Sequence, residues 1–348
     1  MKLFSVSRNI SLRGSGLGNE LIPAAKSYLC AQATGSSLIP HSWGLNRRGY
    51  RHLFGTSLLD FIEPMLALAV SANTEITREM WINQRVENYG TLCNKIITQQ
   101  PLSWATPVST IVHSGMWGGY ALIDPARDWV RETLVSSNGT EVQIKQFQTA
   151  TIGASYKIGL HIRRGDFSLI KGNVQGQYNF AIPIDWYRAV LERILPLLPA
   201  DTIVCAFSDS PSTPIELIPS GKARFKIWQP PCPSNDIADL INLASCDLIV
   251  CSVSSYSTMA AWLGRKPYIW LKDQLHEYNG RFSIWGNEAT DGNWLQSDAL
   301  TSSFENLRSP CIPALFNGFL DLRHFESILD MGYSQHRHHD PIRYGCTW

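Results

Sequence analysis

No segment of the chain supplies the ~20 uninterrupted apolar residues that a membrane span needs. The opening stretch, MKLFSVSRNISLRGSGLGNE, holds no apolar run long enough for a secretory signal, so the sequence predicts a soluble, cytoplasmic protein. Charge of one sign is missing as well. Thirty Lys and Arg stand against 29 Asp and Glu, a net charge of +1. That balance argues against nucleic acid or an anionic membrane as the principal partner, and any anion-binding charge has to be local. The eight cysteines form no CxxC pair, and several lie inside apolar runs such as IVCAF and LIVCSV. Buried free thiols are therefore expected rather than disulfides or zinc ligands. Internal repeats and low-complexity tracts are absent too. With 348 residues and 44% hydrophobic content, the chain can fill two ordinary cores.

The second half shows a regular alternation. YKIGLHI, TIVCAFS, RFKIWQ, DLIVCSV and PYIWL read as strands, and residues 184–198, 235–245 and 256–264 as helices between them. This is the pattern of βαβ units on a parallel sheet. At the N-terminus LFSVSRNI reads as a strand, ELIPAAKSYLCAQATG as a helix stopping near Gly35, and SSLIPHSW as a second strand, with a Gly-rich first turn. Helical periods follow at 58–72 and 84–98, residues 104–130 show no clear period, and SSNGTEVQ at 136–143 reads as a polar connection between the halves.

Ligands of parallel α/β sheets bind at the carboxyl ends of the strands, and four such ends carry chemistry. The strand YKIGLHI runs into Arg163, Arg164, Gly165 and Asp166. Successive strand residues face opposite ways, so Arg163 shares a face with His161 and is expected in the cleft. Arg164 continues the face of Ile158 and Leu160 and is expected to be more buried and paired with a carboxylate such as Asp166. One guanidinium fork can then clasp a diphosphate while the other stiffens the loop. The strand LIVCSV opens into Ser254, Ser255, Tyr256 and Ser257 at the start of a helix, a place where hydroxyls and backbone N–H groups bind anions or where a serine simply caps the helix. GSGLGNE forms the first turn of the N-terminal unit without the full GxGxxG spacing. FSDSP places Asp209 at another strand end, where it can receive a ribose hydroxyl or cap a turn.

Taken in order, GLGN, HIRRGD, FSD and DLINLASCDLIVCSVSSYSTMAAWLG resemble the motifs of the α-1,2-fucosyltransferase family and of the wider GDP-fucose-dependent superfamily. Tyr256 stands where that pattern has Phe, Thr258 and Met259 where it has a Trp pair, and Glu20 where it has Gln. The resemblance implies an α/β, GT-B-like enzyme of two Rossmann-like domains facing a cleft. Residues 1–145 would form the acceptor-side domain, 146–295 the nucleotide-sugar domain, and 296–348 an extension packing back on both. It implies an inverting, metal-independent hexosyltransferase that moves fucose from GDP-fucose to a glycan hydroxyl, α-1,2 to galactose, with no cofactor. Peripheral association with a membrane is left open.

By the same analogy Arg163 stabilises the leaving β-phosphate, and Arg164 and His161 support the site. Asp209 contacts the nucleoside, and Ser254, Ser255 and Ser257 bind phosphate. Tyr256, Gly16, Gly18 and Asn19 complete the donor-binding set. The base comes from across the cleft, with Glu20 as candidate. Asp166 is its rival, although a carboxylate beside two arginines is a poor base and suits an orienting role. Two further readings share these residues. One is a non-catalytic nucleotide-sugar or glycan-binding protein, and the other is a fucosyltransferase with a peptide or lipid-linked acceptor. HRHHD at 336–340 reads as a solvated tail, and most of the twelve tryptophans as core.

Overall fold

The computed structural model describes residues 2–7, 16–41, 43, 50–55, 57, 59–84, 86, 88–99, 108–165, 168–169, 180–210, 226–230, 235–274, 276–278, 281–283 and 311–336. Two separate parallel sheets organise the chain. The first unit runs β1 (Lys2–Ser7), α1 (Leu17–Thr34), β2 (Ser37–Ile39), α2 (Tyr50–Leu53), α3 (Leu59–Val70), β3 (Ala72–Ile76), α4 (Arg78–Gln84), α5 (Tyr89–Gln99) and β4 (Val108–His113). Its strands lie in the order β2-β1-β4-β3, all parallel. The expected N-terminal βαβ unit is present, and α1 stops at Gly35, whose φ of 67° is the left-handed conformation that ends helices.

Helices α6 (Gly119–Ile123), α7 (Arg127–Val135) and α8 (Thr140–Ala150) lead into β5 (Lys157–Ile162). After a short pair, β6 (Ser168–Leu169) and β7 (Phe180–Ala181), come α9 (Ile184–Ile194), β8 (Ile203–Ser208), β9 (Lys226–Trp228), α10 (Asp236–Ala244), β10 (Leu248–Val250), α11 (Ser255–Gly264) and β11 (Tyr268–Leu271). A hairpin, β12 (His276–Tyr278) with β13 (Arg281–Ser283), precedes β14 (Cys311–Ala314) and α12 (Leu322–His336). The large sheet is ordered β9-β8-β5-β10-β11-β14, which, counted along the chain, is the doubly wound order 3-2-1-4-5-6. Both units are thus Rossmann-like α/β layers, as the GT-B-like expectation requires.

Domain boundaries differ from the sequence reading in two places. Residues 145 and 146 lie inside the continuous helix α8, and Asn235 at the start of α10 bonds to Asn138, Thr140 and Gln143, so this helical layer already belongs with the second sheet. Cys311–Ala314 is the edge strand of that sheet beside β11, not an added extension. Its Pro313 is tolerated because an edge strand needs fewer ladder donors.

In β5 the residues from Ile158 to Ile162 are all buried, because helices cover both faces of a parallel sheet. Gly159 makes this possible: a Cβ there would stand 2.6 Å from Leu243 Cδ1 and 3.0 Å from Cys246 Sγ. Cys30, Cys93, Cys205, Cys246, Cys251 and Cys311 are free and buried, as expected.

The two units meet where α1 begins. A Cβ on Gly18 would lie 2.8 Å from the carbonyl oxygen of Ser255, in the first turn of α11. Tyr120 reinforces the junction by donating to the same carbonyl at 3.1 Å and accepting from Thr258 Oγ1 at 3.2 Å. Nearby, Asp124 accepts from Trp262 Nε1 at 2.9 Å and from Arg265 Nη2 at 3.0 Å.

Because backbone blocks the space over Gly18, Gly18→Ala is expected to lower the unfolding free energy by about 1–3 kcal/mol in urea titrations. Gly16→Ala, with nothing within 4 Å, should change it by less than about 1 kcal/mol. Equal effects from the two would show that the close approach at Gly18 does not hold the units together.

Candidate functional site

In a doubly wound sheet the crevice opens where the strand order reverses. Here that point lies between β5 and β10, which pair in register. It brings the end of YKIGLHI against the end of DLIVCSV. His161 Nδ1 sits 2.8 Å from Ser252 Oγ and 2.6 Å from Ser257 Oγ, and Ser257 Oγ accepts from the backbone N–H of Ser252 at 3.1 Å. Burial, and secondarily the charge of Arg163, pushes the His161 imidazole down to about 3. His161 and Ser257 were expected among the donor ligands. The structure instead makes them the buried frame that ties the two strand ends together, with Ser257 fully buried.

Beyond β5 the chain turns around a carboxylate. Asp209, at the end of β8, accepts from the N–H of Arg164 at 2.6 Å and of Gly165 at 2.8 Å, and its Oδ2 pairs with Arg163 Nη1 at 3.1 Å. Gly165 is required for space, since a Cβ would fall 2.5 Å from Asp209 Oδ2. Asp209 is thus engaged by the loop itself and forms an ion pair with Arg163. One expectation is corrected here. Arg164 is no more buried than Arg163, both being partly exposed.

Burial raises the Tyr256 phenol and the charge of Arg163 opposes this, and Arg164 likewise opposes the burial-driven rise of Tyr187. Asp166 lies outside the described residues.

At the start of α11, Ser254 caps the helix through Oγ to the N–H of Tyr256 at 3.2 Å, so its hydroxyl serves the helix end. Ser255, partly exposed and lying over Gly18, takes part in neither the cap nor the histidine network. Tyr256 packs 4.7 Å from the His161 ring and donates to the carbonyl of Asp236 at 2.5 Å, which bridges α11 to α10. From the other unit, Gly16 precedes α1 with no side-chain cap, and Tyr50 Oη accepts from the N–H of Leu17 at 2.9 Å. Asn19 Oδ1, one turn in, is shielded from solvent with no hydrogen-bond partner among the described residues. The N-termini of two helices, both positive ends, thus meet beside the Arg163 loop.

Glu20 is buried, 3% exposed, and its Oε2 accepts from His41 Nε2 at 3.0 Å. His41 Nδ1 lies 2.7 Å from Ser7 Oγ at the end of β1. A free carboxylate facing the cleft, as the base reading expects, is not what the fold presents, because His41 covers it. Elsewhere in the first unit Cys30, Cys93 and His113 place ligand-type atoms within 4.8 Å of one another. Both His113 nitrogens are already hydrogen-bonded, to Ser5 Oγ and Tyr89 Oη at 2.8 Å each. The hydrogen bond from Cys93 is the chief cause holding the Cys30 thiol near 5.

The fold therefore gathers Gly16, Gly18, Asn19, Arg163, Ser254, Ser255 and Tyr256 at one junction, with His161, Arg164, Asp209 and Ser257 behind them. Sequence reading missed Tyr50, Tyr120, Ser252 and His41. Only Ser252 sits in a motif, while the others come from stretches with no strand-end signal.

No family model matches the sequence, and no curated protein matches it. Among solved structures, the chain is similar to the fucosyltransferase NodZ from Bradyrhizobium, at 12% identity and TM-score 0.44, covering 81% of this chain and 97% of that one. A NodZ α-1,6-fucosyltransferase soaked with GDP-fucose gives 14% identity and TM-score 0.44 over 74% and 90%. POFUT1 in complex with GDP gives 13% identity and TM-score 0.40 over 77% and 97%. No helix among the described residues is long and apolar enough to cross a membrane.

The buried, neutral His161 sets a pH dependence. Between its folded value of about 3 and the ordinary 6.5, the unfolded chain binds a proton that the folded chain refuses. Its contribution to stability is complete above 6.5 and is lost as pH falls toward 3. In urea unfolding at pH 7 and pH 5, the drop should be smaller for His161→Asn, which keeps an acceptor near Nδ1 and has no proton to gain. Equal drops would place the acid sensitivity elsewhere.

Proposed function

We propose that the junction binds the diphosphate of GDP-fucose and that the protein transfers fucose to a glycan hydroxyl. By the motif resemblance, transfer is with inversion, without a metal, and α-1,2 to galactose. One observation carries the reading: the first turns of α1 and α11 meet at Gly18 and Ser255 beside Arg163, whose guanidinium is fixed by Asp209. Departure of a sugar from a nucleoside diphosphate builds negative charge on the β-phosphate, and preorganised donors aimed at that charge lower the barrier. Here the donors are the Arg163 fork, the N–H groups of two helix N-termini and the Ser255 hydroxyl. Asp209 fixes the orientation of the fork through Nη1, and a guanidinium carries five N–H donors. Asn19 Oδ1, shielded and without a donor, suits a sugar hydroxyl of the bound donor. Arg164 and His161 are positioning residues.

Calorimetric titration with GDP, UDP and CMP in excess EDTA tests this. GDP is expected to bind, with affinity unchanged when Mg²⁺ replaces EDTA. Arg163→Lys, which keeps the charge and loses the fork, is expected to weaken GDP and to cut turnover of GDP-fucose by about 10²-fold or more. Absence of GDP binding, or binding only with Mg²⁺, would sink the proposal.

A further inference from the structure

A pocket of about 370 Å³ lies between the first sheet and the helical layer of the second, and no motif in the sequence points to it. Its floor is the carboxyl edge of the first sheet, where Ser7 ends β1 and His41 follows β2. Trp43, Phe54 and Trp129 form apolar walls, and Asp60, Thr133 and Ser136 supply polar atoms. The aromatic walls are fixed: Trp43 stacks on Phe54 at 3.9 Å and 14°, and Trp129 on Tyr28 at 4.5 Å and 9°. The floor is fixed as well. Glu20 accepts from His41 Nε2, His41 Nδ1 lies within hydrogen-bond distance of the Ser7 hydroxyl, and that hydroxyl can exchange a hydrogen bond with a ligand O–H.

The lining selects the ligand. Among the described lining residues the acidic side chain is Asp60, a carboxylate suited to accept from ligand hydroxyls. Hydroxyls, a carboxylate and an imidazole interrupt the apolar surface, which disfavours a purely apolar ligand. A neutral ring with one apolar face and several hydroxyls fits both, and the volume lies within the ~300–1,000 Å³ of small-molecule sites.

Helix α1 connects the two places. Gly18 abuts the junction and Ala24 lines the pocket, and at ~1.5 Å of rise per residue they stand about 9 Å apart along the helix. Glu20, between them, holds the pocket floor. We infer that this pocket binds the pyranose of the acceptor glycan that receives the transferred sugar, with the Ser7–His41–Glu20 chain anchoring one of its hydroxyls. This rests on the transferase reading. It also gives Glu20 a role consistent with its burial: it is a positioning residue that acts through His41.

The test uses the full chain and two readouts on the same samples. Saturation-transfer NMR with D-galactose and lactose reports the pocket, and GDP calorimetry reports the junction. Galactose protons are expected to receive saturation from the wild type. Binding should weaken at least tenfold in Ser136→Tyr, where an exposed rim residue becomes a ring across the mouth, and in Glu20→Ala, while Glu20→Gln, which still accepts from His41 Nε2, retains it. Far-UV circular dichroism and the melting temperature of each variant report whether it remains folded.

A wild type that binds GDP but neither sugar, or a Ser136→Tyr variant that binds both sugars undiminished, overturns the pocket assignment and leaves the donor reading standing. Sugar binding that Ser136→Tyr abolishes, in a wild type that ignores GDP, supports the pocket and overturns the donor reading. Binding of neither ligand overturns both.

Discussion

Everything at the junction depends on a contact between a carbon with no side chain and a backbone carbonyl: Gly18 of α1 against Ser255 of α11. Any larger residue would push the helices apart, and with them the two sheets. The contact brings two helix N-termini together, each carrying roughly half a positive charge. That arrangement repels itself, so an anion bound between the two ends would relieve part of that repulsion. A ligand that binds only the assembled junction stabilises it by mass action, so on the proposed reading donor binding and the mutual fixing of the two units would be one equilibrium.

The loop after β5 shows which kinds of information a sequence holds. Strand alternation assigned Arg163 to the face of His161 and expected Arg164 to pair with a carboxylate such as Asp166. It could not supply the carboxylate beside Arg163, because Asp209 arrives from β8 through the parallel pairing of β5 with β8. The same holds for His161 and Ser257. Each looked like a ligand within its own motif, and only the strand order that sets β5 beside β10 turns them toward each other.

Fold legibility followed how far burial dictated sequence. The second sheet was readable because its strands are covered on both faces and are therefore apolar and β-branched. The first sheet was harder: β3, ANTEI, is short and polar at its edge. The strand CIPA contains a proline that argues against a strand unless it is known to lie at an edge. The connection between the halves was placed in a polar stretch that the structure forms as the start of α8, since a polar helix face and a linker have the same composition. The aromatic pocket was invisible for a different reason. Trp43, Phe54 and Trp129 come from three separate segments and carry no mutual period.

Burial of His161 also shapes the charge of the cleft. A protonated imidazole beneath the serine loop would spread positive charge into the floor, where it could not contact a ligand directly. Desolvation and Arg163 together keep that ring neutral, and its Nδ1 shares hydrogen bonds with Ser252 and Ser257 that lock the floor. The cation of this loop face is then Arg163, on a rigid, partly exposed side chain whose orientation Asp209 sets. On the proposed reading, a fixed cation above a neutral, hydrogen-bonded floor would need little reorganisation as charge develops on a leaving phosphate, which is the electrostatic condition a transferase relying on arginine has to meet.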